Sequence, residues 1–166
     1  MSWTVKIAGV SGTGKTTVME ALKTAPDIPC EIVIYSHLLR KHGGIQELAD
    51  VKLAEILEST NGLVIMDDHL EFDNPNKTSN YLRENTRGIV LLDVPLRDLV
   101  LRIRDDETRK RKLDLQQISN DLATSRTKAI TLSYKTKTPL LVIPNLEGEI
   151  ARSIAVIKAF IMANSP

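Results

Sequence analysis

The residues with the clearest chemical potential lie near the start of the chain, in a glycine-rich run. Residues 9–16, Gly-Val-Ser-Gly-Thr-Gly-Lys-Thr, match the pattern G-x-x-x-x-G-K-[ST] at every fixed position. Glycines permit positive φ angles and a close backbone approach, so successive N–H groups can point at phosphate oxygens. The motif predicts a phosphate-binding loop, and the alternative is a glycine-rich turn that binds nothing.

The side chains of this loop have distinct predicted roles. Lys15 is expected to reach the β- and γ-phosphates of ATP as a point charge, the Thr16 hydroxyl to ligate Mg²⁺, and Thr17 to support the α-phosphate. The predicted cofactor is therefore Mg²⁺, with ATP as co-substrate. The residues of this segment predicted to bind ATP are Gly9, Ser11, Gly12, Thr13, Gly14, Lys15, Thr16 and Thr17.

A loop of this kind needs a carboxylate near its magnesium ion. Asp67 ends an apolar run at residues 63–66 and is predicted to be a metal ligand together with Thr16, although it could instead cap a helix or loop. Asp93 ends another apolar run and is a second candidate acid, but capping of the following helix explains it equally well.

The elements that must position these residues alternate between short apolar runs and helical patterns. The apolar runs predict strands over 4–8, 32–35, 63–66, 89–92 and 140–143, of the kind buried on both faces of a parallel sheet. Helices are predicted over 15–23, 45–57, 96–104, 147–162 and from a cap at Asp114 to about residue 135. The alternation predicts an α/β P-loop NTPase fold with three layers and a five-stranded parallel sheet.

Composition places limits on the function. The 166 residues suit a single domain, and 22 basic against 21 acidic residues leave a net charge of +1, so no broad nucleic-acid-binding surface is expected. Cys30 is the only cysteine, which excludes an intramolecular disulfide and fits a reducing compartment. No apolar run approaches the ~18 residues of a membrane-spanning helix, and the first residues lack the form of a signal peptide. We expect a cytoplasmic protein with no membrane partner.

The order of four segments resembles adenylate kinase and its nucleoside monophosphate kinase relatives, the archaeal-type adenylate kinases most closely. They are the glycine-rich loop, the run 63–69 that ends in Asp67-Asp68-His69, the run 90–103 with Asp93-Val94-Pro95 before an amphipathic helix, and the charged run 106–111. Only the first motif is individually specific. The others gain weight from their order and spacing along most of the chain.

The resemblance implies roles for several further residues. Arg109, Arg111 and Arg126 would converge on the transferring phosphoryl group when a short Arg-rich lid, about 105–114, closes. Arg102 would pack on the adenine ring, and Asn145 and Leu146 would line the edge of the base through their backbone groups. In the acceptor-binding element, about 36–60, and after the third strand, Arg40, Asp68 and His69 would contact the acceptor. The charged run could also be a solvated helix end, and Arg40 and His69 could be incidental surface residues.

Two departures from the family pattern concern the acceptor. The Asp-Gly-x-Pro-Arg signature of bacterial adenylate kinases is missing after the third predicted strand, and the segment 36–60 is short for an acceptor-binding element. The archaeal-type likeness also implies a trimer.

These observations predict an ATP-dependent phosphotransferase whose acceptor is a nucleoside monophosphate. One alternative is a P-loop kinase of a small metabolite alcohol, for which Asp67 or Asp68 could act as the base. Another is a nucleotide-binding module with slow hydrolysis. A guanine-binding module would carry an Asn/Thr-Lys-x-Asp motif, which the sequence lacks.

Overall fold

The computed structural model describes residues 1–25, 27–67, 84–106 and 113–166. Within these ranges the strands are β1 (Ser2–Ala8), β2 (Cys30–Val33), β3 (Gly62–Asp67), β4 (Thr86–Leu92) and β5 (Leu140–Ile143). The helices are α1 (Lys15–Lys23), α2 (Tyr35–Lys41), α3 (Gln46–Ser59), α4 (Leu96–Asp105), α5 (Leu115–Thr136) and α6 (Ile150–Ala163). None of the described helices is both long enough and apolar enough to cross a lipid bilayer.

The five strands form one parallel sheet in the order β2-β3-β1-β4-β5. β1 therefore lies in the centre, with Ile7 beside Asp67 of β3 and Ala8 beside Leu91 of β4. The carboxyl ends of the three central strands meet at one edge of the sheet. In open parallel sheets, ligands bind at this edge, where the strand order reverses.

Side chains alternate between two apolar layers, because successive residues of a strand point to opposite faces. On one face, Val5, Ile7 and Val90 pack with residues of α1 and α6. On the other face, Val64 and Met66 pack against α3, while Ile89 and Leu91 pack against α5. Helix α4 packs on α5 through Leu99, Ile103, Ile118 and Leu122. Helices thus cover both faces, which confirms the predicted three-layer α/β fold with a five-stranded parallel sheet.

Most predicted elements differ from the observed ones by only a few residues at their ends. Asp114 caps α5 as predicted, since its carboxylate accepts a hydrogen bond from the Gln117 N–H at 3.0 Å. Tyr35 was predicted to end the second strand, but it begins α2 instead. The reason is a competing partner, because its backbone N–H donates to the Asp67 carboxylate at 2.6 Å rather than to a neighbouring strand. The last helix begins at Ile150, after a turn at Gly148, rather than at Glu147.

Candidate active site

The loop between β1 and α1 has the backbone shape that the motif predicts. Gly9, Gly12 and Gly14 have φ angles of 146°, 97° and 91°, a region that other residues rarely adopt. Helix α1 starts directly afterwards, at Lys15, so the positive end of its dipole faces the loop. Positive-φ glycines leading into a helix N-terminus form an anion-binding turn.

The side chains of the loop fall into two groups. The hydroxyls of Ser11, Thr16 and Thr17 belong to exposed residues that a ligand can reach. Thr13 is fully buried, and its hydroxyl donates to the Val10 carbonyl at 2.9 Å, so this side chain shapes the loop from inside. The Lys15 ammonium lies against the loop, 2.6 Å from the Gly9 carbonyl oxygen and 3.2 Å from that of Val10.

Gly9 offers a test of how tightly this loop is built. A Cβ atom at this position would lie 2.7 Å from the Thr13 hydroxyl and 2.8 Å from the backbone carbonyl of Leu92. The Leu92 carbonyl belongs to the central sheet and cannot move aside easily. We expect Gly9→Ala to lower the free energy of unfolding by about 2–3 kcal/mol, through overpacking and backbone strain, as measured by urea denaturation.

Gly148→Ala is the matched control for that prediction. Gly148 also has a positive φ angle, of 74°, but a Cβ atom there would meet nothing within 4 Å. Its replacement should lower the free energy of unfolding by about 1 kcal/mol, through backbone strain alone. Equal losses of unfolding free energy for the two variants would show that the loop yields to the extra methyl group.

Asp67 lies at the carboxyl end of β3 and is buried, with only 8% of its surface exposed. One of its carboxylate oxygens accepts the hydrogen bond from the Tyr35 N–H. The Tyr35 hydroxyl in turn donates to Asp50 of α3 at 2.6 Å. Burial, followed by the hydrogen bond and charge of Asp50, raises the pKa of the Tyr35 hydroxyl well above its ordinary value, so it stays protonated as a donor. Tyr35 thus links Asp67 to both α2 and α3.

The donor set suits magnesium. Mg²⁺ is usually held by one or two carboxylates together with the phosphate oxygens of a substrate. Asp67 could supply a carboxylate and Thr16 an exposed hydroxyl, and both are hard oxygen ligands. In the described ranges, no group of three or more His, Cys, Asp or Glu residues is placed to hold a metal without such a substrate.

Asp93 and Arg126 form a salt bridge at the same edge of the sheet. The Arg126 Nε atom, on α5, lies 2.8 Å and 2.7 Å from the two oxygens of Asp93. Asp93 follows Leu92, whose carbonyl abuts Gly9. The structure therefore pairs Arg126, predicted to be catalytic, with an acid that directly follows the strand residue lying against the loop.

Arg102 and Asn145, predicted to lie beside the nucleotide base, are also adjacent to this loop. The Asn145 side-chain amide donates to the Thr13 carbonyl at 2.7 Å. Arg102 donates from one guanidinium nitrogen to the same carbonyl at 3.4 Å and from another to the Asn145 carbonyl at 2.5 Å. Its Nε atom is also 3.4 Å from the Glu147 carboxylate.

The predicted acceptor-binding residues are less completely placed. Arg40 is exposed on α2, where its Nε donates only weakly to the Ser36 carbonyl, at 3.4 Å. Helices α2 and α3, joined by Gly43 and Gly44, make up most of the segment 36–60. Asp68 and His69, together with the lid residues Arg109 and Arg111, lie outside the described residues.

A cavity of about 170 Å³ opens beside the loop. It lies between the loop residues Val10 and Ser11 and the helices α4 and α5. Asp114, Gln117 and Asp121 give it a polar side.

Comparison with solved structures agrees with this geometry. The shikimate kinase from Acinetobacter baumannii, solved in complex with shikimate, aligns over 99% of this chain and 95% of its own, with a TM-score of 0.64 and 19% identity. The shikimate kinases from Bacteroides thetaiotaomicron and Aquifex aeolicus give TM-scores of 0.63 and 0.61 at 17% and 16% identity. They cover 96% and 97% of this chain, and 98% and 97% of their own chains. The fold is that of the P-loop kinases. No protein-family model and no curated protein matches the sequence.

These comparisons do not support the predicted likeness to adenylate kinases. The structures named above are P-loop kinases, but none of them is an adenylate kinase. They lend no support to the archaeal-type adenylate kinase resemblance, to a nucleoside monophosphate acceptor or to a trimer. The coarser expectation of a P-loop kinase fold is confirmed.

Sequence reasoning missed Tyr35 as a partner of Asp67. The only available signal was its place directly after a strand run, which puts its backbone N–H at the carboxyl edge of the sheet. That signal becomes useful only when β2 and β3 are known to be neighbours, since this brings the two strand ends together.

Proposed function

We propose that this protein is an ATP-dependent phosphotransferase that transfers the γ-phosphoryl group to a hydroxyl of a small molecule. The observation that carries the proposal is the glycine-rich loop, with three positive-φ glycines, Lys15 at a helix start and Asp67 at the neighbouring strand end. A bare anion-binding turn would need neither the lysine nor the acid. Both are required to hold a metal–triphosphate complex.

The hydroxyl acceptor is supported by the extent of the structural likeness. The aligned shikimate kinases cover nearly all of this chain, including α2 and α3, which occupy the acceptor-binding element in the sequence interpretation. The segment 36–60, short for an adenylate kinase, is accommodated within that alignment. One of the aligned enzymes was solved with shikimate, a polyhydroxylated carboxylic acid. A small alcohol therefore fits better than a nucleoside monophosphate.

In the proposed reaction, the backbone amides of the loop and the Lys15 ammonium bind the phosphates of ATP. Thr16 and Asp67 would hold Mg²⁺, which neutralises the charge that develops on the phosphate oxygens. The acceptor hydroxyl oxygen forms a bond to the γ-phosphorus, the bond between that phosphorus and the β–γ bridging oxygen breaks, and ADP leaves. Arg126 supplies a guanidinium for the negative charge that spreads over the transferred group.

An alcohol acceptor must also lose its proton. Asp67, at the end of β3, and Asp68, the next residue along the chain, are the candidates for receiving it. Asp67 is held in place by the Tyr35 N–H, so its orientation is set before any substrate arrives. Asp68 lies outside the described residues.

The test is a product assay with purified protein, MgATP and a panel of acceptors. Polyhydroxylated carboxylic acids, including shikimate, and simple sugars form one group, and the nucleoside monophosphates AMP, CMP, GMP and UMP form the other. We expect ADP and a phosphate monoester, identified by mass spectrometry, only with a member of the first group. Phosphorylation of the monophosphates instead, detected as CDP, GDP or UDP or as two ADP from AMP and ATP, would overturn the alcohol acceptor. A failure of the protein to bind MgATP would overturn the kinase itself.

A further inference from the structure

Arg102 and Asn145 hold one peptide plane of the glycine-rich loop in a fixed orientation. The carbonyl oxygen of Thr13 accepts hydrogen bonds from both side chains, at 3.4 Å from Arg102 and 2.7 Å from Asn145. Asn145 is only 4% exposed and comes from the loop after β5, 132 residues away along the chain. We call Arg102, Asn145 and the Thr13 carbonyl the carbonyl clamp.

The clamp determines where the next N–H group points. A trans peptide unit is planar, with its C=O and N–H directed to opposite sides. Because the Thr13 carbonyl is directed at Arg102 and Asn145, the Gly14 N–H of the same unit points away from them. In the proposed function, the backbone amides of the loop bind the phosphates of ATP, so the phosphates lie on the side to which this N–H points. A peptide flip would turn the Thr13 carbonyl oxygen towards them instead.

Gly14 supports this interpretation independently. A Cβ atom at residue 14 would lie 2.8 Å from the Asn145 side-chain nitrogen and 3.9 Å from an Arg102 guanidinium nitrogen. The Asn145 amide thus occupies the space that any other residue at this position would need. The other polar atom of this amide, Oδ1, is buried without a hydrogen-bond partner in the described structure. The Nδ2 contact with Thr13 is therefore the specific interaction made by this side chain.

We infer that Asn145 and Arg102 are positioning residues for phosphate binding, since they preset the Thr13–Gly14 peptide so that the Gly14 N–H faces the triphosphate. This inference rests on the proposed ATP site and adds a role to that site. This role differs from contact with the nucleotide base. If the clamp positions the loop, it should also strengthen the binding of a polyphosphate that has no base.

The test compares ATP with inorganic tripolyphosphate, both with Mg²⁺, by isothermal titration calorimetry. Asn145→Gly removes the amide donor without adding charge, and glycine tolerates the φ angle of 42° at this position. We expect the affinity for both ligands to fall by the same factor, about tenfold. A fall for ATP with unchanged tripolyphosphate binding would overturn the inference and assign Asn145 to the base. Unchanged affinity for both ligands would also overturn it.

A second variant guards against a folding defect in the first. Arg102→Met removes the other donor and one positive charge, and Arg104→Met on the same helix is its charge-matched control, because Arg104 is exposed and pairs with Asp105. We expect Arg102→Met to weaken tripolyphosphate binding by more than Arg104→Met does, and equal effects would overturn the inference. Absence of ATP binding by the wild-type protein would reject the proposed function as well, whereas an unaffected variant beside a binding wild type rejects only the clamp.

Discussion

Replacing Lys15 by alanine should lower the rate of phosphoryl transfer by about 10²–10³-fold, while the protein stays folded. Lys15 is the first residue of α1, and its ammonium lies over the loop, bonded to the carbonyl oxygens of Gly9 and Val10. A phosphate entering the loop would replace those carbonyls as its partner. The loss is that of one preorganised cationic donor facing charge that develops in the transition state. The measurement is kcat with saturating MgATP and the acceptor identified by the product assay.

Lys23→Ala is the matched control, because Lys23 lies in the last turn of the same helix and is exposed. It should leave kcat unchanged within a factor of about two. Thermal unfolding of both variants separates catalysis from stability. Turnover by Lys15→Ala at the wild-type rate would mean that the loop does not hold the transferred phosphate, and the kinase proposal would then fail.

The parts of this molecule that sequence predicted well have local determinants. The glycine-rich loop, α1 and the five strands follow from residue type and short-range periodicity, because glycine conformations and strand burial are local properties. Asp114 was predicted as a helix cap for the same reason, since its hydrogen bond reaches only three residues along the chain.

The contacts that complete the candidate site depend on long-range geometry instead. Tyr35 meets Asp67 over 32 residues, Arg126 meets Asp93 over 33, and Asn145 meets Thr13 over 132. Each pairing depends on the strand order β2-β3-β1-β4-β5, which local periodicity does not encode. Tyr35 shows the consequence. Its apolar neighbours in the sequence predicted a strand residue, but in the folded chain its N–H donates to the Asp67 carboxylate at the end of β3, and Tyr35 begins a helix.

The acceptor was the hardest inference for a related reason. Phosphate binding uses backbone amides in one short segment, so a motif can reveal it. Acceptor recognition generally uses side chains from separate elements, and these can change while the fold stays the same. The adenylate kinase resemblance depended on the order of segments along the chain, whereas the solved structures that share this fold are shikimate kinases.

Asp67→Asn should have the second large effect, a fall of about 10²-fold in kcat at saturating MgATP, with a higher Mg²⁺ concentration needed for half-maximal activity. The amide keeps the size of the carboxylate, and its oxygen can still accept the hydrogen bond from the Tyr35 N–H, so the link to α2 survives. What the variant loses is the negative charge. A metal ion contributes several kcal/mol of transition-state stabilisation, and weaker metal binding forfeits part of it.

Activity measured across a Mg²⁺ titration distinguishes this role from a structural one. Asp98→Asn is the control, since Asp98 is a partly exposed acid in the first turn of α4, and its titration curve should overlay that of the wild type. If Asp67 only anchored Tyr35, its amide variant would retain both the wild-type activity and the wild-type Mg²⁺ dependence, because the amide oxygen keeps that hydrogen bond. A wild-type titration curve for Asp67→Asn would therefore mean that another residue is the metal-binding acid. Asp93 would then be the next candidate, because it follows β4, which lies on the other side of β1 from β3.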